Sequence, residues 1–157
     1  MTSRESMLET ARDYADPCVR QIAVFLSNHV GSLSDVLAHL ESEEVLCHAL
    51  AINNNVDFAI IRLIVDKYES ACRVLETDFQ IAESKLVAVE LPDPNIGLLK
   101  ISRALLRAEI SINYSYPMFT QVNQRPVVLL HLDDLTTGCE ILRKTGYSLI
   151  DEIDLAL

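Results

Sequence analysis

The chain has 157 residues, half of them apolar, and 23 acidic against 13 basic side chains give it a formal net charge of -10. This apolar content can bury one core or two small ones, and it excludes disorder over the whole length. With no basic run, a phosphate backbone would repel the chain, so nucleic acid is not an expected partner.

No apolar run reaches the roughly 20 residues needed to span a bilayer, and Met1-Thr2-Ser3-Arg4-Glu5 leads into a polar segment without a signal-peptide core. A cytoplasmic protein without membrane contact is expected. Cys18, Cys47, Cys72 and Cys139 show no CxxC pairing and sit in apolar patterns, which predicts reduced, mostly buried thiols.

Residues 1–19 stand apart as an N-terminal extension. Ser3 is placed to cap a short helix through Met7, Leu8 and Ala11 that Asp16-Pro17 would stop; a mobile tail is the alternative. From Val19 the pattern becomes regular. Ile22 to Leu26 is an apolar run of strand length, Ser27 to Gly31 a turn, and Leu33, Val36, Leu37 and Leu40 fall on one helix face. In that turn Gly31 lets the backbone bend tightly, Asn28 offers donor and acceptor groups, and Ser32 is a candidate helix cap.

Val45 to Ile52 reads as a second strand, Asn53-Asn54-Asn55 as a turn, and Phe58 to Val65 as a third strand. Arg62 is singular within that third run, since it must face solvent, an interface or a carboxylate. Tyr68, Ala71, Cys72 and Leu75 repeat the helical spacing, and Phe79 to Ser84 makes a fourth strand. The order β-α-β-β-α-β predicts a ferredoxin-like unit, a four-stranded antiparallel sheet with two helices on one face.

The pattern then recurs. A shift of 65 places Leu26, Asn28, Leu33, Val36, Leu40 and Val45 on Leu91, Asp93, Leu98, Ile101, Leu105 and Ile110. A shift of 67 places Val65, Asp66, Tyr68, Ala71, Cys72 and Leu75 on Leu132, Asp133, Leu135, Gly138, Cys139 and Leu142. The difference of two implies an insertion around Gln121 to Arg125 in the second hairpin. Two tandem α+β units are therefore expected, over 20–85 and 86–157, the second ending in a strand near Tyr147 to Ile153.

The enzyme classes fall away one at a time. His29, His39, His48 and His131 are scattered rather than spaced as metal ligands, and no GxSxG, P-loop, GxGxxG or HExxH occurs. Cys72 and Cys139 hold matching inward helix positions, which fits a core better than a nucleophile. An acylphosphatase-like use would want an arginine in the first loop, and neither loop has one. No metal and no cofactor are expected. Two strand-to-helix loops at matching places remain, each either a well-made helix start or half of a binding site.

These residues carry a family likeness. The turn Asn28-His29-Val30-Gly31 before Leu33, the strand Asp57 to Val65, the segment Val89-Glu90-Leu91-Pro92-Asp93 before Gly97-Leu98, and Ile112-Asn113-Tyr114-Ser115-Tyr116 each resemble an ACT domain. That is a small ferredoxin-like regulatory unit that binds amino acids. The whole resembles stand-alone tandem ACT proteins without an attached enzyme. The resemblance implies an amino acid held between neighbouring units by Asn28, His29, Val30, Gly31, Ser32 and Leu33, or by Asp93, Asn95, Ile96, Gly97 and Leu98, with Tyr114 and Tyr116 as a facing wall. It also implies a homodimer and a possible partner enzyme.

Two departures bear on the site. The family's frequent Pro-Gly is Val30-Gly31 in copy one and Asn95-Ile96 in copy two, where the glycine moves to Gly97. The frequent Gly-x-Asn before strand two is Glu44-Val45-Leu46 and Glu109-Ile110-Ser111, which removes a common ligand-facing asparagine. A ligand-free interaction module and a small enzyme on the same scaffold are the rival expectations.

Overall fold

The computed structural model describes residues 16–27 and 30–156. The expected helix over Ser3 to Ala11, and Asn28 and His29 of the first loop, lie outside the described residues. The strands are β1 (Val19–Ser27), β2 (Cys47–Asn54), β3 (Phe58–Val65), β4 (Gln80–Glu90), β5 (Ile112–Pro117), β6 (Val127–Leu132) and β7 (Leu149–Ile150). Interleaved with them are helices α1 (Ser32–Ser42), α2 (Tyr68–Leu75), α3 (Pro94–Arg107), α4 (Leu135–Lys144) and α5 (Glu152–Leu155).

Both units have the ferredoxin-like order. In the first, β1 lies between β3 and β4, with β2 outside β3; in the second, β4 lies between β6 and β7, with β5 outside β6, all antiparallel. The expected end of unit one and start of unit two are a single strand. Gln80 to Leu86 of β4 pair with β1, and Val87 to Glu90 pair with β6. Two four-stranded sheets thus share β4 and make one seven-stranded sheet.

Side-chain alternation gives each strand one face packed under the helices and one face turned away from them. Ile22, Val24 and Leu26 of β1 and Ala59, Ile61, Leu63 and Val65 of β3 pack with Val36 and Leu40 of α1 and Ala71 and Leu75 of α2. Val87 and Val89 of β4 and Val128, Leu130 and Leu132 of β6 pack with Ile101 and Leu105 of α3 and Cys139 and Leu142 of α4. The opposite face of the sheet closes on itself. Val19, Ala49, Ile64, Leu86, Ala88, Tyr116, Leu129 and Ile150, drawn from all seven strands, share a third core. The sheet is therefore curled, with edge strands β2 and β5 brought near each other and the four longer helices outside.

Polar groups join the units across this inner core. Gln21, only 1% exposed, donates from Nε2 to the Tyr114 hydroxyl at 2.9 Å and accepts at Oε1 from the Tyr116 hydroxyl at 2.7 Å. Arg62 lies over the Tyr114 ring at 4.2 Å and donates to Asn53, so its partner is the interface and not a carboxylate. At the chain's end, Glu152 accepts from the Arg20 side chain at 2.8 and 3.0 Å, and Arg20 also reaches Glu69 at 2.7 Å.

The repeat extends to details. Asp66 and Asp133 each accept from a backbone N–H across the sheet, that of Leu46 at 2.8 Å and of Ser111 at 3.0 Å. Both second strands bulge at one place, at His48 between Cys47 and Ala49 and at Asn113 between Ile112 and Tyr114. Glu44 and Glu109, after helices α1 and α3, both have positive φ, 51° and 58°.

Two local expectations are corrected. The last strand is only Leu149–Ile150, because Asp151 accepts from the backbone N–H groups of Ile153 and Asp154 and starts α5; Ile153 is helical. Ser32 does not cap α1. It is already within the helix, Gly31 is the N-cap residue, and the Ser32 hydroxyl donates back to the Ser27 carbonyl at 3.2 Å.

Candidate functional site

The two loops are built differently. After β1, Gly31 takes φ +96°, a left-handed conformation that a side chain would strain, and as the N-cap residue of α1 it has no side chain to cap the helix. Val30 is fully exposed, Ser32 is buried, and Leu33 packs at the edge of the first core.

After β4, Asp93 caps α3 by accepting from the Asn95 backbone N–H at 3.0 Å, with Pro94 opening the helix. Gly97 therefore belongs to the first turn of α3 rather than to a turn. It is buried, a Cβ there would meet Leu91 Cδ2 at 3.1 Å, and its carbonyl accepts from the Tyr147 hydroxyl at 3.0 Å. Asn95, Ile96 and Leu98 are exposed. Hence the N-cap residue is a left-handed glycine at the first helix start and a capping carboxylate at the second.

The loops also lie apart. β1 runs antiparallel to β4, so the first loop sits near Gln80 and the second beyond Glu90, at opposite ends of an 11-residue strand. At about 3.3 Å per residue, the path along β4 is roughly 33 Å. The structure does not bring them together on one small molecule.

Tyr114 and Tyr116 face unit one across the inner core. Tyr116 is buried, and burial pushes its phenol above the ordinary range. Tyr114 stacks on His131 at 4.7 Å and lies under Arg62. The pair packs between units, away from either loop's solvent side.

A further recess was not singled out from the sequence. An open cleft of about 1300 Å³ lies between the units, lined by His48 and Asp66-Lys67 of unit one, by Glu90 and Thr120 to Asn123 with Arg125, and by Ser148 to Ile150 and α5. The insertion forms one wall. Asn123 and Gln124 both have positive φ, 53° and 60°, between the bridged residues Val122 and Arg125, a tight two-residue hairpin tip. Glu90 is 4% exposed and accepts from Arg125 Nη1 at 2.9 Å and Asn123 Nδ2 at 3.1 Å. His48 is 3% exposed, and its Nδ1 contacts the Thr120 hydroxyl at 2.8 Å. Burial lowers its pKa, against smaller opposing pulls from Asp66 and from a backbone hydrogen bond with Leu155. The sequence signal for this wall was the two-residue excess of the second hairpin.

Among the described residues no group of histidine, cysteine, aspartate and glutamate is arranged to hold a metal ion, and no helix is long and apolar enough to cross a membrane. The four cysteines are free thiols.

Residues 17–157 match the family model of the ACT domain pair. A solved structure of a protein from Bacteroides thetaiotaomicron is similar at a TM-score of 0.82 and 26% identity, covering 90% of this chain and 99% of that one. The ligand-free regulatory subunit of aspartate kinase from Thermus thermophilus is similar in fold at a TM-score of 0.60 and 14% identity, covering 83% and 95%. The corresponding subunit from Thermus flavus gives 0.55 and 9%, covering 82% and 93%. Comparison with curated proteins finds no match. With the repeat, the strand order of both units and this match over nearly the whole chain, the protein belongs to the ACT domain pair family.

Proposed function

We propose that this ACT pair is a cytoplasmic amino-acid-binding regulatory protein without catalysis of its own, with units over 20–85 and 86–157 that divide within β4. The observation that carries the reading is the first loop. Its left-handed glycine opens α1, and the backbone N–H groups of the helix start, with the positive end of the helix dipole, suit a ligand carboxylate.

The facing wall for that loop comes from a second copy of the chain, because the second loop lies at the far end of β4 and Tyr114 and Tyr116 are taken up inside. The first half of β4 offers a route to such a homodimer. Gln80 to Lys85 pair with β1 on one side and with no described strand on the other. A ligand between two copies would stabilise one arrangement and so shift a population that a partner enzyme reads. Leu46 and Ser111, where asparagine is common, favour the rival ligand-free interaction module.

A thermal-shift screen against the twenty amino acids separates the readings. A ligand at 100 times its Kd adds about 2.7 kcal/mol. For a chain of this size that raises Tm by roughly 5–10 °C. The sensor reading predicts such a rise with at least one amino acid and its loss in Asn28→Ala; no rise with any of them leaves the interaction module.

A further inference from the structure

The two units share a fold but have diverged on their outer surfaces. Along α3, Leu99 and Leu106 lie seven residues apart on the side turned away from Ile101 and Leu105, and they are 51% and 73% exposed. Next to them Lys100, Arg103 and Arg107 line the groove towards α4, and none of the three makes an ion pair among the described residues. The shift of 65 puts Ser34 and Glu41 of unit one at the two leucines, and Asp35, Ala38 and Ser42 at the three cations. Solubility asks for neither change, because exposed leucines invite contact and the cations reduce a net charge of -10.

Unit one carries the complement. A shallow recess of about 370 Å³ beside α1 is lined by Leu37, Leu40, Val45, Leu46 and Cys47, with the exposed Glu41 and Glu44 beside them. Leu46 is 59% exposed. Neither glutamate side chain makes an ion pair among the described residues, and Lys67 donates to the Glu44 carbonyl oxygen at 2.9 Å rather than to a carboxylate. At the matching places unit two has Ser102 for Leu37 and Ser111 for Leu46. The stripe is thus built only in unit two and the recess only in unit one. Both are open in the single chain, so a second chain is what can bring them together.

We propose that the leucine stripe of α3, flanked by Arg103 and Arg107, seats in the recess of Leu37 and Leu46 on a second copy of the chain, between Glu41 and Glu44. Leucine then meets leucine and each cation meets a carboxylate, an apolar centre with a charged rim. Because the two surfaces differ, the contact is heterologous, and it repeats head to tail until a ring closes or a filament grows. It uses neither the loop after β1 nor the first half of β4, so it stands whether or not an amino acid binds.

Sedimentation velocity of the full chain over a wide range of concentration tests this. The parent is expected to grow in mass with concentration beyond its smallest species. The association constant should fall about tenfold or more in Leu106→Glu, the residue unit one has at that place, and in Leu46→Ser, the residue unit two has. Arg103→Glu combined with Arg107→Glu, on the surface, should give the same loss and guards against a folding defect in a leucine variant. A head-to-tail contact makes one further demand. Leu106→Glu keeps its recess and Leu46→Ser keeps its stripe, so an equimolar mixture should associate although neither does alone. A parent mass independent of concentration overturns the proposal, whether residues 1–15 or another protein cover the stripe. Growth that survives all three variants places the contact elsewhere and overturns it. Growth lost in both leucine variants and not regained in the mixture shows like faces meeting, and overturns the head-to-tail contact.

Discussion

The junction of the two units is open to a direct energetic test at Gln21. Replacing it in Gln21→Leu preserves size but removes the bonds to both tyrosines and leaves the Tyr116 hydroxyl buried without its acceptor. An orphaned buried hydroxyl costs about 1–3 kcal/mol, and losing the less buried Tyr114 bond adds about 1 kcal/mol, so the single change should cost about 2–4 kcal/mol. Tyr116→Phe orphans the Gln21 oxygen instead and should cost about 1–3 kcal/mol. In the double variant both partners are apolar, and the loss should fall short of the sum by about 1–2 kcal/mol. Urea denaturation of the four proteins measures this. Additivity of the two changes, or a loss below about 0.5 kcal/mol in either, would show that the bond does not join the units. A biphasic unfolding curve in the parent would contradict the shared inner core itself.

Other outcomes follow from backbone and charge. Glu44→Gly and Glu109→Gly relieve left-handed glutamates after α1 and α3, and each should stabilise by about 0.5–1 kcal/mol in the same assay. Gly138→Ala places a Cβ 2.3 Å from Leu132 Cδ1 between α4 and β6, so overpacking of about 1–3 kcal/mol should outweigh the helix-propensity gain of about 1 kcal/mol and lower Tm. The two histidines respond oppositely to pH. The His39 pKa is raised by its bonds to the Asp35 carbonyl and to Asp78, so its contribution is present below about 6.5 and lost as pH rises through the higher folded value. Asp78→Asn should therefore be more damaging at pH 6 than at pH 8.5. For His48 burial lowers the pKa, the unfolded state binds more protons, and stability falls as pH drops below about 6.5. His48→Gln should flatten that acid limb of the Tm profile.

What could be read from the sequence was what is local or periodic. The order of elements follows from runs such as Ile22 to Leu26 and from the i, i+3, i+4 spacing of Leu33, Val36 and Leu37. The repeat follows from matched apolar residues, and the unequal shift located the inserted hairpin. What could not be read depends on contacts across the curled sheet. Periodicity gives two faces to a strand but does not say which unit each face will meet, so Tyr114 and Tyr116 fitted a ligand wall and an interface equally until Gln21, 93 and 95 residues away, was seen between them. His48 looked like one scattered histidine, because a bulge has no periodic signature and its partner Thr120 is 72 residues distant. Ser32 looked like a cap because hydroxyls before apolar runs usually are, whereas the left-handed Gly31 had already begun the helix.

The central claim is that an amino acid binds this ACT pair. Isothermal titration calorimetry of the full chain with each of the twenty amino acids tests it most directly. The account predicts saturable heat for at least one of them, at a stoichiometry near one per occupied site. Absence of saturable heat for all twenty, from a protein whose unfolding is cooperative, would contradict it.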